Sequence, residues 1–287
     1  MFKRIILATA LAISASFATW DYYPIPDSTH GSAEAGLYYD WDHDWSQAGI
    51  KMGARFTMIK SLEIALTEWG YQFWNETDCP NCVNGGDGVR DLTIGVRYEV
   101  MPMITAFLDL NLPVGDDEYD GQGTNPPSSN ETSLYLGAQL SAPVNLAGFK
   151  FGTEVGILWG FEHDDHRPNG HKSEERGLDI HLGAEMAYTV PKVGVTPYIG
   201  FLLKYRLTEC VWYENNKKET EHGYDDRRSR QYNLWFGLAY DINPLITVKA
   251  HLIFRDEKYK GSSWDDENLH HLGGDADGFY MAVVFNF

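Results

Sequence analysis

The last nine residues of the chain are Phe279-Tyr280-Met281-Ala282-Val283-Val284-Phe285-Asn286-Phe287. Successive side chains of a β-strand point to opposite faces, so every second residue shares a face. One face of this segment is wholly apolar, and it comprises Phe279, Met281, Val283, Phe285 and Phe287. The pattern predicts a β-strand that contacts lipid with one face.

The N-terminal segment has the features of an export signal. Lys3 and Arg4 precede the apolar run 5–13, and small residues lead up to Ala18. This pattern predicts a signal peptide over residues 1–18 that is cleaved after Ala18. The apolar run is far shorter than the roughly 20 residues that a membrane-spanning helix needs. We therefore expect an exported protein in which any membrane span is a β-strand.

Alternating hydrophobicity recurs along most of the mature chain. It marks twelve candidate strands, nearly all long enough to cross a bilayer at a tilt. The candidates are 33–41, 48–56, 62–73, 92–100, 104–112, 134–142, 149–161, 178–190, 195–207, 232–242, 246–254 and 279–287. In the third candidate the apolar series changes parity, because Leu66 lies on one face and Trp69 on the other by simple alternation. This change predicts either a β-bulge near Thr67 to Trp69 or a strand that has left the hydrocarbon by that point.

The connections between the candidate strands alternate in length. Brief turns are predicted at 59–61, 101–103, 143–148, 191–194 and 243–245, and long polar loops at 74–90, 113–131, 162–177, 208–230 and 256–278. This asymmetry is typical of outer-membrane barrels. The sequence therefore predicts an all-β fold, a transmembrane antiparallel outer-membrane β-barrel of about twelve strands. The barrel would occupy residues 32–287, after a short periplasmic segment at 19–31, and the apolar C-terminal strand would be its assembly signal.

A soluble β-sandwich would bury the same apolar series in its core, so the polar face has to decide between the two folds. That face carries many charged side chains, which a water-filled lumen can accommodate. Aromatic residues also gather at both ends of the strands, as they do at the two membrane interfaces. The residues predicted to line the lumen are Lys51, Arg55, Arg97, Glu99, Asp109, Lys150, Glu154, Asp179, His181, Glu185, Lys204, Arg206, Asp241, Lys249, His251 and Arg255.

The tight turn at 191–194 predicts the register of the two strands that it joins. It places Asp179 opposite Arg206 and His181 opposite Lys204, and the first pair is expected to form a salt bridge.

Glycines recur on the inward parity of several candidate strands. Because they lack a side chain, they are expected to free volume inside the barrel and let its wall bend. They favour a narrow pore or a ligand cavity over a solid plug. These glycines are Gly49, Gly53, Gly95, Gly137, Gly152, Gly156, Gly160, Gly183, Gly200 and Gly237.

The chain has a formal net charge of −18 at pH 7, and the predicted long loops hold nearly all of the acidic excess. An acidic rim attracts cations and disfavours anions, so nucleic acid is not expected as a partner. The expected partners are outer-membrane lipid and lipopolysaccharide, the barrel-assembly machinery and a small-molecule solute. The expected location is the outer membrane of a Gram-negative-type bacterium, and the oligomeric state stays open.

The cysteines suggest a structural role. Cys79 and Cys82 form a C-x-x-C pair, a spacing found in redox and zinc sites as well as in local disulfides. Here the pair lies in a Gly- and Asn-rich stretch without a second ligand pair, which favours a loop disulfide and leaves Cys210 unpaired.

Two further segments could carry chemistry. The segment 162–171 contains several His and Asp residues and could bind Zn²⁺, although a solvated acidic loop has the same composition. His171 and Ser173 are the nearest approach to the serine–histidine pair of a lipid hydrolase, but they lie among charged residues of a predicted loop. We therefore predict no metal site, no cofactor and no enzymatic activity.

The segment Leu112-Pro113-Val114-Gly115-Asp116, at the end of a central strand, resembles a known family. It is similar to the Leu-Pro-x-Gly-Asp segment of outer-membrane transporter-like barrels named for the MetA pathway of phenol degradation. The resemblance implies a channel that passes a small, apolar or aromatic solute passively across the outer membrane. The alternatives are a structural or adhesive barrel and, less favoured, an outer-membrane lipid hydrolase.

Overall fold

The computed structural model describes residues 30–42, 45–77, 87–116, 127–128, 130–142, 148–161, 163–165, 172–175, 177–208, 211–214, 217–219, 229–258 and 276–287. No helix within these ranges is both long enough and apolar enough to span a bilayer. Their strands are β1 (Gly31–Trp41), β2 (Trp45–Ile59), β3 (Leu62–Thr77), β4 (Gly88–Val89), β5 (Leu92–Met101), β6 (Ile104–Leu112), β7 (Ser133–Ala142), β8 (Phe149–Gly160), β9 (His163–Asp165), β10 (Lys172–Glu175), β11 (Gly177–Tyr188), β12 (Val195–Arg206), β13 (Val211–Glu214), β14 (Lys217–Glu219), β15 (Arg230–Asn243), β16 (Ile246–Lys258) and β17 (Asp277–Asn286).

Twelve of these strands form a closed antiparallel barrel. Hydrogen-bonded neighbours follow the order β2, β1, β17, β16, β15, β12, β11, β8, β7, β6, β5 and β3, and β3 pairs with β2 to complete the ring. The all-β fold and the twelve barrel strands predicted from the sequence are confirmed. The two-residue strand β4 adds to β3 beside the long connection that follows it.

The barrel turns its apolar side chains outward and its polar side chains inward. Leu108, Phe236 and Met281 are 44% to 45% exposed, whereas Asp109 and Glu154 are buried. This arrangement is the reverse of a soluble protein, and it suits a wall with lipid outside and polar groups inside. The alternation in the sequence therefore reports the two faces of one closed sheet.

Strand β3 contains the predicted bulge. Its register with β5 shifts between Leu66 and Glu68. Ile64 and Trp69 are both exposed on the outer face although their positions differ in parity. An extra residue at this point moves the rest of the strand by one position, so the apolar series stays outside after the bulge. The prediction of a bulge near Thr67 is confirmed.

The predicted register of β11 and β12 is also confirmed. Asp179 lies opposite Arg206, and His181 lies opposite Lys204. The short turn at 191–194 sets this pairing, because a one-residue slip would exchange the inner and outer faces of the whole hairpin.

The expectation that 162–177 and 208–230 are irregular loops is wrong in part. Strands β9, β10, β13 and β14 form a second antiparallel sheet, in the order β14, β13, β10 and β9. Its centre pairs Lys172–Glu175 with Val211–Glu214. These strands lack a one-sided apolar pattern because most of their residues are polar, so hydrophobic alternation does not reveal them.

Candidate functional site in the barrel lumen

Opposite charges pair across neighbouring strands on the inner wall. Arg55 donates hydrogen bonds to Glu63 from Nε at 2.9 Å and from Nη2 at 2.7 Å. Arg206 donates to Asp179 from Nε and, at 3.3 Å, from Nη2. All four side chains are at most 5% exposed. A charge withdrawn from water in this way needs a counter-charge, so these pairs constrain the shape of the wall.

The residues predicted to line the lumen all lie away from the exposed outer face. The buried ones are Arg55, Arg97, Asp109, Glu154, Asp179, His181, Glu185, Arg206 and Lys249. The half-buried ones are Lys51, Glu99, Lys150, Lys204, Asp241, His251 and Arg255.

A cavity of about 340 Å³ lies inside the barrel, between β1 to β3 on one side and the strands from β11 to β17 on the other. Its volume is in the range of a small-molecule site. It is lined by Glu34, Tyr38, Asp40, Lys51, Met52, Gly53, Thr67, Glu68, Glu185, Leu202, Trp235, Lys249, His251, Ile253, Arg255, Phe279 and Tyr280. The structure thus brings five of the predicted lumen residues to one cavity, namely Lys51, Glu185, Lys249, His251 and Arg255.

Paired charges form one side of the cavity. The Lys249 ammonium lies 2.7 Å from the Glu34 carboxylate, which also accepts a 2.6 Å hydrogen bond from the Tyr280 hydroxyl. Arg255 donates to Asp40 at 3.2 Å. Each carboxylate on this side therefore faces a cation, and the local charges largely cancel.

Two further carboxylates of the cavity are also bonded, Glu68 by cations and Glu185 by a neutral donor. Glu68 lies 3.5 Å from Lys51 and 3.3 Å from Arg90. The Trp235 indole donates a 2.7 Å hydrogen bond to Glu185. A solute in this cavity would meet hydrogen-bonding groups and aromatic rings without a strong net charge.

Three of the predicted inward glycines do not leave open space, whereas Gly53 does line the cavity. A Cβ added to Gly200 would lie 2.1 Å from the ring of Trp235, and one added to Gly49 would lie 2.6 Å from the ring of Tyr38. Gly237 is covered by Tyr198 in the same manner. Each of these three glycines makes room for an aromatic ring from a neighbouring strand, so the ring takes the volume.

Aromatic rings also contact one another along the inner wall. The ring of Tyr135 lies 4.9 Å from that of Phe107 and 4.9 Å from that of His181. Elsewhere on the wall, the rings of His251 and Tyr280 are 5.3 Å apart. These separations are those of interacting aromatic pairs. The inner wall therefore combines ion pairs with aromatic surface.

The sequence matches the family described as "Putative MetA-pathway of phenol degradation" over residues 23–260. The chain belongs to this family. The resemblance inferred from the segment 112–116 is thereby confirmed. No match was found among curated protein sequences.

Solved structures with a similar fold are outer-membrane barrels. The COG4313 outer membrane channel from Pseudomonas putida F1 superposes with a TM-score of 0.68 and 14% identity, over 94% of this chain and 99% of that one. The NanC porin gives a TM-score of 0.51 and 13% identity, over 88% of this chain and 98% of that one. The β domain of the Bordetella autotransporter BrkA superposes with a TM-score of 0.51 and 13% identity, over 91% of this chain and 100% of that one. At these identities the comparison shows the fold alone.

The sequence analysis missed several residues that line the cavity or bond to its lining. Glu34, Tyr38 and Asp40 share the inward face of β1, so the alternation of 33–41 could have found them. Glu68 was missed because the bulge alters the parity of β3 at that point. Arg90 lies outside any candidate strand, and no sequence signal placed it near Tyr38.

Some predicted features lie outside the described residues. They include Cys79, Cys82 and Cys210, and most of the segment 162–171. Within the described part of the chain, no group of three or more possible metal ligands was found. The sequence analysis placed Ser173 in an irregular loop, and this was wrong, because Ser173 lies in β10.

The predicted assembly signal lies on β17. Phe279, Met281, Phe285 and Phe287 are exposed on the outer face, and Val283 is half-buried. The strand pairs with β1 on one side and β16 on the other, so it closes the barrel. Its role in recognition by the assembly machinery stays a prediction.

Proposed function

We propose that the protein is a channel in the outer membrane of a Gram-negative-type bacterium, through which a small solute passes down its own gradient. The observation that carries this proposal is the cavity of about 340 Å³ inside a closed barrel whose outer face is apolar. A purely structural barrel has no need for a cavity surrounded by compensated charges. The barrel-assembly machinery and lipopolysaccharide would be its partners in the membrane.

The residues that line the cavity favour a solute that is small, uncharged and at least partly apolar. Trp235, Tyr38 and Tyr280 supply aromatic surface, while ion pairs and the indole hydrogen bond to Glu185 satisfy the charged groups around them. The name of the family associates it with phenol degradation, and this supports the same class of solute. The similar COG4313 protein is described as an outer membrane channel, which agrees with passage as the function.

A structural or adhesive barrel is the second candidate. It is favoured by the deep burial of pairs such as Arg55 with Glu63, which occupy part of the interior. Barrels of about 8 strands are filled by their own side chains, whereas those of 16 to 18 strands leave an open channel. A barrel of twelve strands lies between these cases, so conduction has to be measured. We expect no lipid hydrolysis.

The test is single-channel recording of the refolded protein in planar bilayers, together with uptake of small aromatic solutes by liposomes that contain it. A channel gives discrete conductance steps and faster uptake than liposomes with heat-unfolded protein. Silent bilayers and unchanged uptake at all salt concentrations would favour the structural barrel. Release of fatty acid from the liposomes would instead indicate a hydrolase.

A further inference from the structure

The family segment 112–116 holds a second piece of chain against the barrel. This piece, residues 87–91, is called the strap here. The Asp116 amide donates to the Val89 carbonyl at 2.9 Å, and the Val89 amide donates to the Asp116 carboxylate at 2.7 Å. Two reciprocal bonds between one pair of residues fix both their separation and their orientation.

Further bonds on the same side of the strap strengthen this attachment. The Asp91 carboxylate accepts hydrogen bonds from the Ser128 hydroxyl and, at 3.3 Å, from the Gly115 amide. The Ser128 amide donates to the Asp116 carbonyl at 3.1 Å. The strap, the segment 112–116 and Ser128 are thus each bonded to the other two.

Gly115 is required at the centre of this contact. A Cβ at this position would lie 2.5 Å from the Val89 carbonyl oxygen, and 2.9 Å from both the Arg90 carbonyl carbon and the Ser128 Cβ. Two of these three atoms belong to backbone, which cannot rotate away. A side chain at position 115 would therefore push the strap off the segment 112–116.

The other side of the strap is bonded to the barrel wall. The Arg90 amide donates to the Gly70 carbonyl at 3.0 Å, and Val89 lies opposite Tyr71 in the pairing of β4 with β3. The backbone of Arg90 is thus held between β3 and the segment 112–116. This restraint limits where the Arg90 side chain can reach.

That side chain reaches two groups that line the cavity. Its Nη1 donates to the Tyr38 hydroxyl at 3.0 Å, and its Nη2 donates to the Glu68 carboxylate at 3.3 Å. Its guanidinium also lies 5.3 Å from the centre of the Tyr38 ring. Tyr38 rests on Gly49, where the ring has no space to retreat toward the wall.

We propose that Arg90 is a specificity-determining residue at the long-loop end of the cavity, and that Asp91, Ser128 and the segment 112–116 are the residues that position it. This inference rests on the proposed channel function. Arg90 lies near the end of the long connection between β3 and β5, so a solute that enters from this end meets its guanidinium beside Tyr38 and Glu68. A solute on this path would pass between this cluster and the opposite wall.

Two physical effects follow from the position of Arg90. Its side chain occupies space beside Tyr38, so it limits the cross-section of the path. Its positive charge also offsets the negative charge of Glu68. Without Arg90, Lys51 would be the cation of the cavity lining that pairs with Glu68. Arg90 therefore opposes cation passage, and its loss should favour cations.

The experiment compares Arg90→Ala with Gly115→Ala and Asp91→Ala, which displace the strap and keep the arginine. Arg230→Ala is the matched control. Arg230 lies at the long-loop end of β15, is exposed and stacks 5.9 Å from the Tyr232 ring on the outer face, so its loss removes the same charge outside the lumen. Heat-modifiable gel migration reports whether each variant has formed its barrel.

Single-channel conductance and reversal potential in a salt gradient are then measured for each folded variant. Arg90→Ala should raise the conductance roughly twofold and shift the reversal potential toward cations. Gly115→Ala and Asp91→Ala should change both quantities in the same direction as Arg90→Ala does. The double variant Arg90→Ala with Gly115→Ala should match Arg90→Ala alone, because the strap then has no arginine to position. Arg230→Ala should resemble the wild type.

The failures of the two proposals are distinguishable. A wild type that conducts, with Arg90→Ala no different from Arg230→Ala, overturns the role of Arg90 and leaves the channel function intact. A changed Arg90→Ala with unchanged Gly115→Ala and Asp91→Ala overturns the positioning role of the strap contacts. Silence of the wild type and of every folded variant overturns the channel function, and this inference with it.

Discussion

Asp179 of β11 and Arg206 of β12 form an ion pair that is closed off from solvent, with side chains 1% and 0% exposed. From the sequence alone this pair resembled an ordinary cross-strand contact, which contributes about 0.2 to 1 kcal/mol. Complete burial changes that magnitude, because a buried charge that loses its counter-charge is strongly unfavourable.

We expect Asp179→Ala to lower the free energy of unfolding by about 3 to 5 kcal/mol, because it removes the counter-charge of a buried arginine. Urea unfolding of the barrel in lipid vesicles measures the change. Asp256→Ala is the control, since Asp256 and Lys258 are 61% and 57% exposed and lie 3.5 Å apart. The control substitution should lower the free energy of unfolding by less than about 1 kcal/mol. Equal losses in the two variants would contradict the burial argument.

Gly200→Ala should destabilise the barrel by roughly 1 to 3 kcal/mol, because the added Cβ overlaps the ring that covers it. That ring belongs to Trp235, whose atoms would lie 2.1 Å from the new carbon. Trp235→Ala removes the overlap. The double variant should therefore unfold at a higher urea concentration than the sum of the two single changes predicts. Strict additivity would show that the ring and the glycine do not form one unit.

Phe287→Asp should block assembly of the barrel while leaving export intact, because the terminal aromatic is the predicted recognition element. The substitution keeps both backbone hydrogen bonds between these strand ends. The Gly31 amide donates to the Phe287 carbonyl at 2.8 Å, and the Phe287 amide donates to the Gly31 carbonyl at 2.9 Å. Leu245→Asp is the control, since Leu245 is 61% exposed at the same end of the barrel and Phe287 is 63% exposed. Heat-modifiable migration of the cellular protein measures assembly. A fully folded Phe287→Asp barrel would count against the assembly signal.

Neutralising the acidic rim should weaken cation preference without closing the pore. The structure removes Asp116 from this test, because its carboxylate holds the Val89 amide. Asp117, Glu118 and Asp120 are changed to amides instead, and they lie outside the described residues. The effect on reversal potential should be largest in dilute salt, because the screening length is about 10 Å at 0.1 M and shortens as salt rises. An effect that is independent of salt would contradict a long-range field.

The barrel itself was predictable from the sequence because strand alternation is a local property. Leu108 and Asp109 point to opposite faces wherever the strand lies, so twelve such patterns with short and long connections predict the closed sheet. The pairing of Asp179 with Arg206 followed from one tight turn, since a hairpin register is set by a few adjacent residues. The C-terminal strand 279–287 was identified by the same reasoning.

Only the tertiary structure decided what the inside of the barrel contains. Arg90 reaches Tyr38 because two separate segments, β3 and 112–116, hold the strap. Gly200 carries the ring of Trp235 in the space that the sequence suggested was open. These arrangements depend on contacts between residues far apart in the chain. Alternation within one strand contains no information about such contacts, so the closed barrel had to bring them together.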